Sequence, residues 1–293
     1  MTKIKRLEEC TLQEAVKAWN SGFEGYYFDM TMSTDAFVNR LALEGLSPSL
    51  SLVAFIDDQP VGILLNGIRV INGKKFAWNG GTGVAPQYRK QGVARELMNV
   101  TLSLYQEEGV ATASLEAIRD NAKAISLYES CGFSAVDSLE HLVLKGMLQE
   151  SLFPKERGEY LIKEINVQHV ANLPFYKAEN PWQTQWRSAK DSEAILAFDG
   201  KGNEVGYAYF RKNVNEQGRH IGTTLFQCEA DPLRMDAEGI TRSLLGYVFE
   251  DFQGDISRII PNLPVTSSKT TYSILKEIGF KSVASQVFMK RPC

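Results

Sequence analysis

Long apolar segments are missing from this sequence. No run of about 18 apolar residues occurs in the chain, so we expect no transmembrane helix. The N-terminal stretch MTKIKRLEECTLQEAV becomes polar at once and has no apolar core of the kind found in signal peptides. These absences predict a cytoplasmic protein with no membrane partner.

Cysteine and histidine are scarce as well. The four cysteines lie far apart and form no C-x-x-C pair, which argues against a disulfide scaffold. The three histidines are scattered and lack the spacing of zinc ligands. We therefore expect a protein of a reducing compartment that holds no metal.

Neither sign of charge predominates. The chain has 32 Lys and Arg against 35 Asp and Glu, a net charge of −3, so nothing attracts it as a whole to nucleic acid. It also has no G-x-x-x-x-G-K-S/T loop, which argues against an NTPase, and no DNA-binding motif, which argues against a DNA-binding regulator. We expect no nucleic-acid partner, and the sequence does not determine the oligomeric state.

Apolar residues are present in ordinary amount, 44 % of a chain of 293 residues. At roughly 100–200 residues per domain this length predicts two domains. Residues 147–158, MLQESLFPKERG, break the pattern with a proline and a glycine. We place the linker there, between domains of residues 1–146 and 159–293.

The hydrophobic periodicity of the first half predicts helix, helix, three antiparallel strands, helix, strand, helix and strand, a mixed α/β fold. Asn72-Gly73 is typical of a type I′ hairpin turn. The second half repeats this pattern, because Gly239 and Gly279 lie 147 residues after Gly92 and Gly132. Two anchors in register predict a duplicated domain.

A basic turn, defined here as residues 84–95, leads from a strand into a helix. The helix start offers unpaired N–H groups and the positive end of a dipole, and Arg89, Lys90 and Arg95 add charge. Gly92 lets the backbone approach a ligand closely. The turn therefore has the features of a phosphate or pyrophosphate site, although taken alone such a turn is more often an ordinary basic helix start.

Two motifs make a resemblance specific. Arg89-x-x-Gly92-x-Ala94 resembles the R/Q-x-x-G-x-G/A signature of the GNAT superfamily of acyl-CoA N-acyltransferases. Asn121-x-x-Ala124-x-x-Leu127-Tyr128, followed by a Gly-Phe pair, resembles the family's second cofactor motif. The resemblance covers roughly residues 3–146, and the second half resembles a diverged copy. It implies two GNAT-like domains, each a mixed, mostly antiparallel twisted sheet flanked by helices.

The resemblance also implies roles for individual residues. Acetyl-CoA would be the cosubstrate, with the backbone of Val84 pairing with the pantetheine arm and Tyr128 acting as the general acid for the departing thiolate. Asn121 would contact the cofactor near its reactive end. The whole implied set of cofactor-binding residues is Val84, Ala85, Arg89, Lys90, Gln91, Gly92, Val93, Ala94, Arg95, Asn121 and Ala124.

The general base and the acceptor site are less determined by the sequence. Glu116 shares a strand face with Ser114 and Ile118 if that strand is regular, and it is our candidate base. Glu24 and Asp29, or a backbone carbonyl with water, are alternatives. Glu24 and Asp29 belong to the aromatic loop, defined here as residues 22–30. In this loop Tyr27 and its neighbours can bind a cation or simply fill space beside the helices.

The resulting hypothesis is an N-acetyltransferase that acts on a primary amine of a small molecule or peptide. The alternatives are a non-catalytic acyl-CoA sensor or scaffold and a nucleotide-binding protein. Tyr128 favours the enzyme, because a pure binder needs no acid there. In the second half Asp236 and Leu275 stand at the positions of Arg89 and Tyr128, which predicts a copy that has lost its cofactor.

Overall fold

The computed structural model describes residues 2–147, 160–249 and 254–293. It contains two compact units: Met1–Val136 together with Phe288–Cys293, and Asp137–Val287. The units divide at residues 136 and 287. The predicted domain boundaries at 146 and 159 stay predictions. The predicted linker, residues 147–158, lies outside the described residues except for Met147, so it stays a prediction.

The first unit has four helices and five complete strands, and local signals in the sequence account for most of their ends. In chain order they are β1 (Lys3–Arg6), α1 (Leu12–Gly22), α2 (Thr34–Glu44), β2 (Leu52–Ile56), β3 (Gln59–Ile71), β4 (Lys74–Val84), α3 (Val93–Glu107), β5 (Val110–Ile118) and α4 (Ala122–Ser130). Thr11, Ser33 and Asn121 cap three of the helices with their side chains. The hairpin between β3 and β4 turns through Asn72 and Gly73, both with positive φ, as a type I′ turn requires.

The sheet of the first unit has the order β1-β2-β3-β4-β5, and the next strand beside β5 is β12 (Lys281–Pro292). Only the segment Phe288–Cys293 around the end of β12 belongs to this unit. The pairs from β1 to β4 are antiparallel and β4 with β5 is parallel. Helix α3 packs on this sheet, and its buried Tyr105 donates a hydrogen bond to buried Asn66 over 2.6 Å.

The second unit repeats this architecture. Its elements, in chain order, are most of β6 (Ser134–Lys145), β7 (Leu161–Ile165), β8 (Glu193–Phe198), β9 (Glu204–Val214), β10 (His220–Ala230), α5 (Ala237–Val248), β11 (Ser257–Pro264) and α6 (Lys269–Ile278). Its strand order is β6-β11-β10-β9-β8-β7, with only β10 and β11 parallel. Both sheets are thus mixed and mostly antiparallel, as predicted.

The two faces of the second sheet are covered differently. Ala208 and Phe210 face a core that includes Ile240 and Leu244 of α5 and Ile274 of α6. Tyr207 and Tyr209, which alternate with them along β9, face a second core formed with the irregular segment of residues 167–189. That segment contains three short 3₁₀ turns and takes the place that a pair of helices occupies in the first unit.

Candidate active site

The basic turn presents a row of backbone N–H groups at the start of α3. Gly92 adopts φ +89° as the N-cap, and Lys90 before it adopts φ +64°. The first helical hydrogen bond runs from Glu96 N–H to the Gly92 carbonyl over 3.0 Å. The N–H groups of the three residues between them, Val93, Ala94 and Arg95, therefore have no partner within the helix and point along its axis at the positive end of its dipole.

The side chains of the basic turn do not all face this row. Lys90 is exposed, and Arg95 donates to the Ser130 hydroxyl of α4 over 2.9 Å. Gln91 donates to the Gln87 carbonyl over 2.8 Å. Arg89 instead turns back to the end of α1: its guanidinium donates to three backbone carbonyls, those of Val84, Gly22 and Glu24. The Val84 carbonyl, which the family resemblance assigns to the pantetheine arm, thus accepts from Arg89 in this structure.

Strands β4 and β5 separate beside the basic turn. Their parallel pairing ends at Asn79 opposite Leu115, although β4 continues to Val84 and β5 to Ile118. A bulge accompanies the separation, because the register with β3 shifts between Asn79 and Gly81. The Asn79 side chain stabilises the bulge by accepting from Gly81 N–H and by hydrogen bonding to the Thr82 hydroxyl. The result is a wedge whose two edges are backbone.

Four polar side chains gather at this wedge. The phenol of Tyr128 on α4 lies near Thr82 of β4, and the phenol of Tyr26 in the aromatic loop lies near the side chain of Asn121. Burial raises the pKa of Tyr128 to about 12, and the nearby Thr82 hydroxyl opposes this only in part. Burial also raises the pKa of Tyr26. Both phenols are therefore protonated at neutral pH and can donate hydrogen bonds.

Glu116 is held on the neighbouring strand. It is half-buried on β5 and accepts a hydrogen bond from the indole N–H of Trp78 over 2.7 Å, while Trp78 itself is buried. Ser114, two residues earlier, donates to the Ala77 carbonyl of β4. A residue of β4 thus holds the Glu116 carboxylate in one orientation. A general base needs such support to meet the proton that it removes.

The aromatic loop lines an open pocket of about 310 Å³. Glu24, Tyr27 and Asp29, the three predicted acceptor residues, line it and are exposed. The hydrogen bond from Thr31 N–H keeps the pKa of Asp29 below its usual range, so this carboxylate carries its charge at neutral pH. Phe23, in contrast, is buried against Trp19 with 4.2 Å between ring centroids, so this ring fills space beside α1.

The corresponding region of the second unit has different side chains and different contacts. Gly239 lies in the first turn of α5, whose N-cap is Asp236, so it does not cap its helix as Gly92 caps α3. The Asp236 carboxylate accepts from Arg234 over 2.7 Å and from the Tyr160 hydroxyl over 2.9 Å. A carboxylate at this helix start repels a phosphate rather than binding it.

A buried ion pair also occupies the second unit at the position of Thr82. The equivalent residue, 147 positions later, is Glu229 on β10. Its carboxylate pairs with Lys177 over 2.7 Å and accepts from the hydroxyl of Ser268, the residue equivalent to Asn121, over 2.5 Å. Leu275, equivalent to Tyr128, is fully buried. The side chains of this unit thus fill the region where the first unit presents Thr82, Asn121 and Tyr128.

Sequence reasoning missed several residues of the site. Tyr26, Thr82 and Trp78 contact the predicted catalytic and cofactor-binding side chains, yet no motif contains them. The offset of 147 residues was the signal that could have marked Thr82, because it pairs this residue with Glu229 as it pairs Asn121 with Ser268. Within the described ranges, no three His, Cys, Asp or Glu residues form a group that could hold a metal ion. None of the helices in those ranges has the length and hydropathy to cross a membrane.

Comparison with known proteins places this site in a family. Residues 11–133 match the acetyltransferase (GNAT) family. Over 51 residues the chain is 45 % identical to the ribosomal protein bS18-alanine N-acetyltransferase of Escherichia coli strain K12, a match that covers 17 % of this chain and 34 % of the relative. It is 33 % identical over 88 residues to an N-alpha-acetyltransferase of Arabidopsis thaliana, covering 29 % and 46 % of the two chains. The matches span less than half the length of these relatives.

Solved structures resemble the chain over its full length. A tandem GNAT protein from the clavulanic acid biosynthesis pathway is 13 % identical and covers 100 % of this chain and 98 % of its own, with a TM-score of 0.62. A GCN5-related N-acetyltransferase from Sphaerobacter thermophilus is 13 % identical, covers 100 % and 95 %, and has a TM-score of 0.65. At this identity the likeness establishes the fold alone.

The first unit has the fold and the motifs of an acyltransferase. Residues 11–133 are similar to the GNAT family of acetyltransferases, and the chain shares its fold with a tandem GNAT protein. The predicted resemblance to this family and the predicted fold class are confirmed, and the similar sequences are named N-acetyltransferases, which supports the predicted class of enzyme.

Proposed function

We propose that the chain transfers an acetyl group from acetyl-CoA to a primary amine of a small molecule or peptide. The observation that carries this proposal is the wedge between β4 and β5, which opens beside both the basic turn and the buried phenol of Tyr128. In the reaction the amine nitrogen attacks the thioester carbonyl carbon, the C–S bond breaks, and the sulfur leaves as a thiolate that must be stabilised or protonated.

The basic turn fits the diphosphate of the donor. Gly92 has a positive φ, and a Cβ built on it has no neighbour within 4 Å, so the space in front of the turn is open. The N–H groups of Val93, Ala94 and Arg95 face that space, and Lys90 and Arg95 supply positive charge beside it. A β-branched residue at position 92 would both strain the backbone and fill the space meant for phosphate.

Tyr128 supports the departure of the thiolate chiefly as a hydrogen-bond donor. Its pKa of about 12 keeps the phenol protonated. An ordinary thiol has a pKa of about 8.5, so complete transfer of the phenolic proton to the sulfur is uphill by roughly 4–5 kcal/mol. A donated hydrogen bond to the developing negative charge requires no such transfer and still lowers the barrier.

Glu116 is the proposed base, and the aromatic loop is the proposed acceptor site. Trp78 fixes the Glu116 carboxylate at the edge of the wedge, where it can take the proton of an ammonium directly or through water. The exposed carboxylates of Glu24 and Asp29, with the ring of Tyr27, can bind that cation first. The acceptor reacts as the free amine, so the rate rises with pH until amine and base are both deprotonated.

The second unit binds no acetyl-CoA in this proposal. Asp236 replaces the phosphate-binding charge, the Lys177–Glu229 pair fills the position of Thr82, and Leu275 has no proton to donate. The fold is kept while the ligand-facing side chains are not, which is the pattern of a copy that serves as a scaffold.

Two measurements test the proposed function. Release of free thiol from acetyl-CoA is followed with a panel of small amines and with a short peptide that begins with alanine, a rational probe because the bacterial relative is named for an alanine of a ribosomal protein. Binding of acetyl-CoA is measured by calorimetry for Gly92→Val and for its matched control in the second unit, Gly239→Ala, where a Cβ meets only an ordinary contact at 3.4 Å.

We expect thiol release with at least one amine, no binding to the Gly92→Val variant, and unchanged binding to Gly239→Ala. Unchanged affinity of a folded Gly92→Val variant would refute the donor site. Tight binding of acetyl-CoA without turnover of any amine would favour the alternative, a non-catalytic sensor or scaffold.

A further inference from the structure

The arginine of the R-x-x-G-x-A motif lies in an unexpected place. Its guanidinium is bonded to backbone carbonyls at two separate points of the chain. Nε donates to the Val84 carbonyl at the end of β4 over 2.7 Å. Nη2 donates to the carbonyls of Glu24 over 2.7 Å and Gly22 over 3.3 Å. The side chain thus joins the basic turn to the first residues of the aromatic loop.

The carbonyl at the end of α1 needs a hydrogen-bond donor for a physical reason. Gly22 is the last residue of α1, and the final carbonyls of a helix have no partner within it. They also lie at the negative end of the helix dipole, where a cation is favourable. No basic residue is present in the last turn of α1, so Arg89 supplies this charge from 67 residues further along the chain.

The connection is short because the two backbones touch. A Cβ built on Gly22 would lie 2.9 Å from the carbonyl carbon of Gly83, and one on Gly83 would lie 2.9 Å from the ring of Phe23. Without side chains, α1 and β4 approach to van der Waals distance directly below the guanidinium. The beginning of the aromatic loop is therefore fixed to the end of the strand that borders the wedge.

The other end of the aromatic loop has its own anchors. The Trp19 indole donates to the Met30 carbonyl over 2.7 Å, and the Asn20 side chain pairs with both backbone groups of Met32. The residues between the two anchors include the exposed Glu24, Tyr27 and Asp29, and also Tyr26, which reaches Asn121. Arg89 is thus the anchor on the side of the basic turn.

We propose that Arg89 is a positioning residue for the acceptor: its side chain holds the aromatic loop against β4, while binding of the diphosphate depends on backbone N–H groups and on Lys90. The inference rests on the proposed function in naming the loop as the acceptor site. The inference assigns the arginine of the motif to binding of the acceptor amine, although its neighbours in sequence serve binding of acetyl-CoA.

The test compares Arg89→Met, Arg89→Lys and the neighbouring control Lys90→Met. Hydrogen exchange of peptides covering the aromatic loop is measured by mass spectrometry without ligand. The acetyl-CoA Kd is measured by calorimetry. Steady-state kinetics with the alanine-initiated peptide, or with whichever amine of the panel is turned over, gives the acceptor KM and kcat.

For Arg89→Met we expect faster exchange in the aromatic loop and unchanged exchange in α3. The acceptor KM should rise about tenfold or more, as expected for loss of hydrogen bonds from a charged group, while the acetyl-CoA Kd changes less than about threefold. Lys90→Met should show the reverse, a weaker acetyl-CoA Kd with an unchanged acceptor KM. Arg89→Lys should restore part of the acceptor KM, because one ammonium reaches fewer carbonyls than a guanidinium.

Unchanged exchange of the loop in Arg89→Met, or a loss of acetyl-CoA affinity equal to that of Lys90→Met, would overturn the inference. If the wild-type chain turns over no amine, the proposed function fails, and the exchange experiment still decides whether Arg89 holds the loop.

Discussion

The ion pair of Lys177 with Glu229 offers a quantitative test of how the second unit is built. The Glu229 side chain is 7 % exposed and that of Lys177 is 28 % exposed, and their charged atoms lie 2.7 Å apart. Lys177 also donates to the Ser267 carbonyl. Replacement by Met keeps most of the length of the side chain and removes the charge, which leaves the buried carboxylate with the Ser268 hydroxyl as a donor.

Removing one partner of a buried pair costs about 3–5 kcal/mol, and the partial exposure of Lys177 places our expectation near 3 kcal/mol. Glu229→Gln should cost less, roughly 1 kcal/mol, because the freed ammonium can turn toward water. The double variant should unfold within about 1 kcal/mol of the wild type, since neither charge is then buried.

The cost of Lys177→Met should also depend on pH. Burial raises the pKa of Glu229 and Lys177 opposes the rise, so removal of Lys177 raises it further. A carboxyl with a raised pKa in the folded state is disfavoured when charged, so the variant loses stability as pH rises through that pKa and recovers it as pH falls. The penalty should therefore be larger at pH 8 than at pH 5.

Urea unfolding of the four proteins at both pH values measures these energies, with hydrogen exchange of peptides from β10 and α6 reporting on the second unit alone. A Lys177→Met variant as stable as the wild type at pH 8 would refute the reasoning. So would a double variant no more stable than the single one, because the charge pair would then not be what holds the region together.

Three further predictions follow from the site and from the division into units. Tyr128→Phe should lower kcat by about 10²-fold or more without changing the acetyl-CoA Kd. The wild-type rate should show no decline attributable to this phenol below about pH 11, because its raised pKa keeps it protonated. The pH–rate profiles of both proteins check this, and a wild-type decline near pH 9 that is absent from the variant would contradict it. Calorimetric titration should give one acetyl-CoA per chain, and a second equivalent bound at Gly239 would show that the second unit has kept its cofactor site. Truncation after Val287 should destabilise the first unit by about 3 kcal/mol or more, because the buried side chains of Phe288 and Met289 are lost. Removal of Cys293 alone should have little effect. Chemical unfolding and acetyl-CoA binding of the two truncated chains measure the difference.

Local signals in the sequence were sufficient for elements whose ends depend on neighbouring residues. A hairpin turn precedes β4 and a proline follows it, so local signals predict the observed bounds of Lys74 and Val84. Thr11 is the N-cap predicted for α1, and of the two candidates for α2, Ser33 and Thr34, the structure has Ser33. For β6 the sequence predicts only a short strand around Leu142–Leu144, because most of this strand is half-exposed or exposed and shows no clear alternation.

Long-range contacts were outside the reach of such signals. Periodicity predicts which face of a strand is apolar but not which strand lies beside it, so the membership of residues 288–293 in the first unit was not predicted. The same applies to side chains: a basic residue near a glycine predicts a phosphate contact, whereas Arg89 binds carbonyls that are distant in sequence. The segment of residues 167–189 has no regular periodicity and had no predicted structure.

The placement of residues 288–293 has a consequence for synthesis of the protein. Domains generally fold as they emerge from the ribosome, N-terminal first. Here the unit that carries both motifs lacks the strand next to β5 until nearly 290 residues have been translated. A prematurely terminated chain would contain every residue of the candidate active site and still expose the backbone of β5 as an open edge, where other chains can pair with it. The first unit is therefore completed only after the residues of the second unit have been translated.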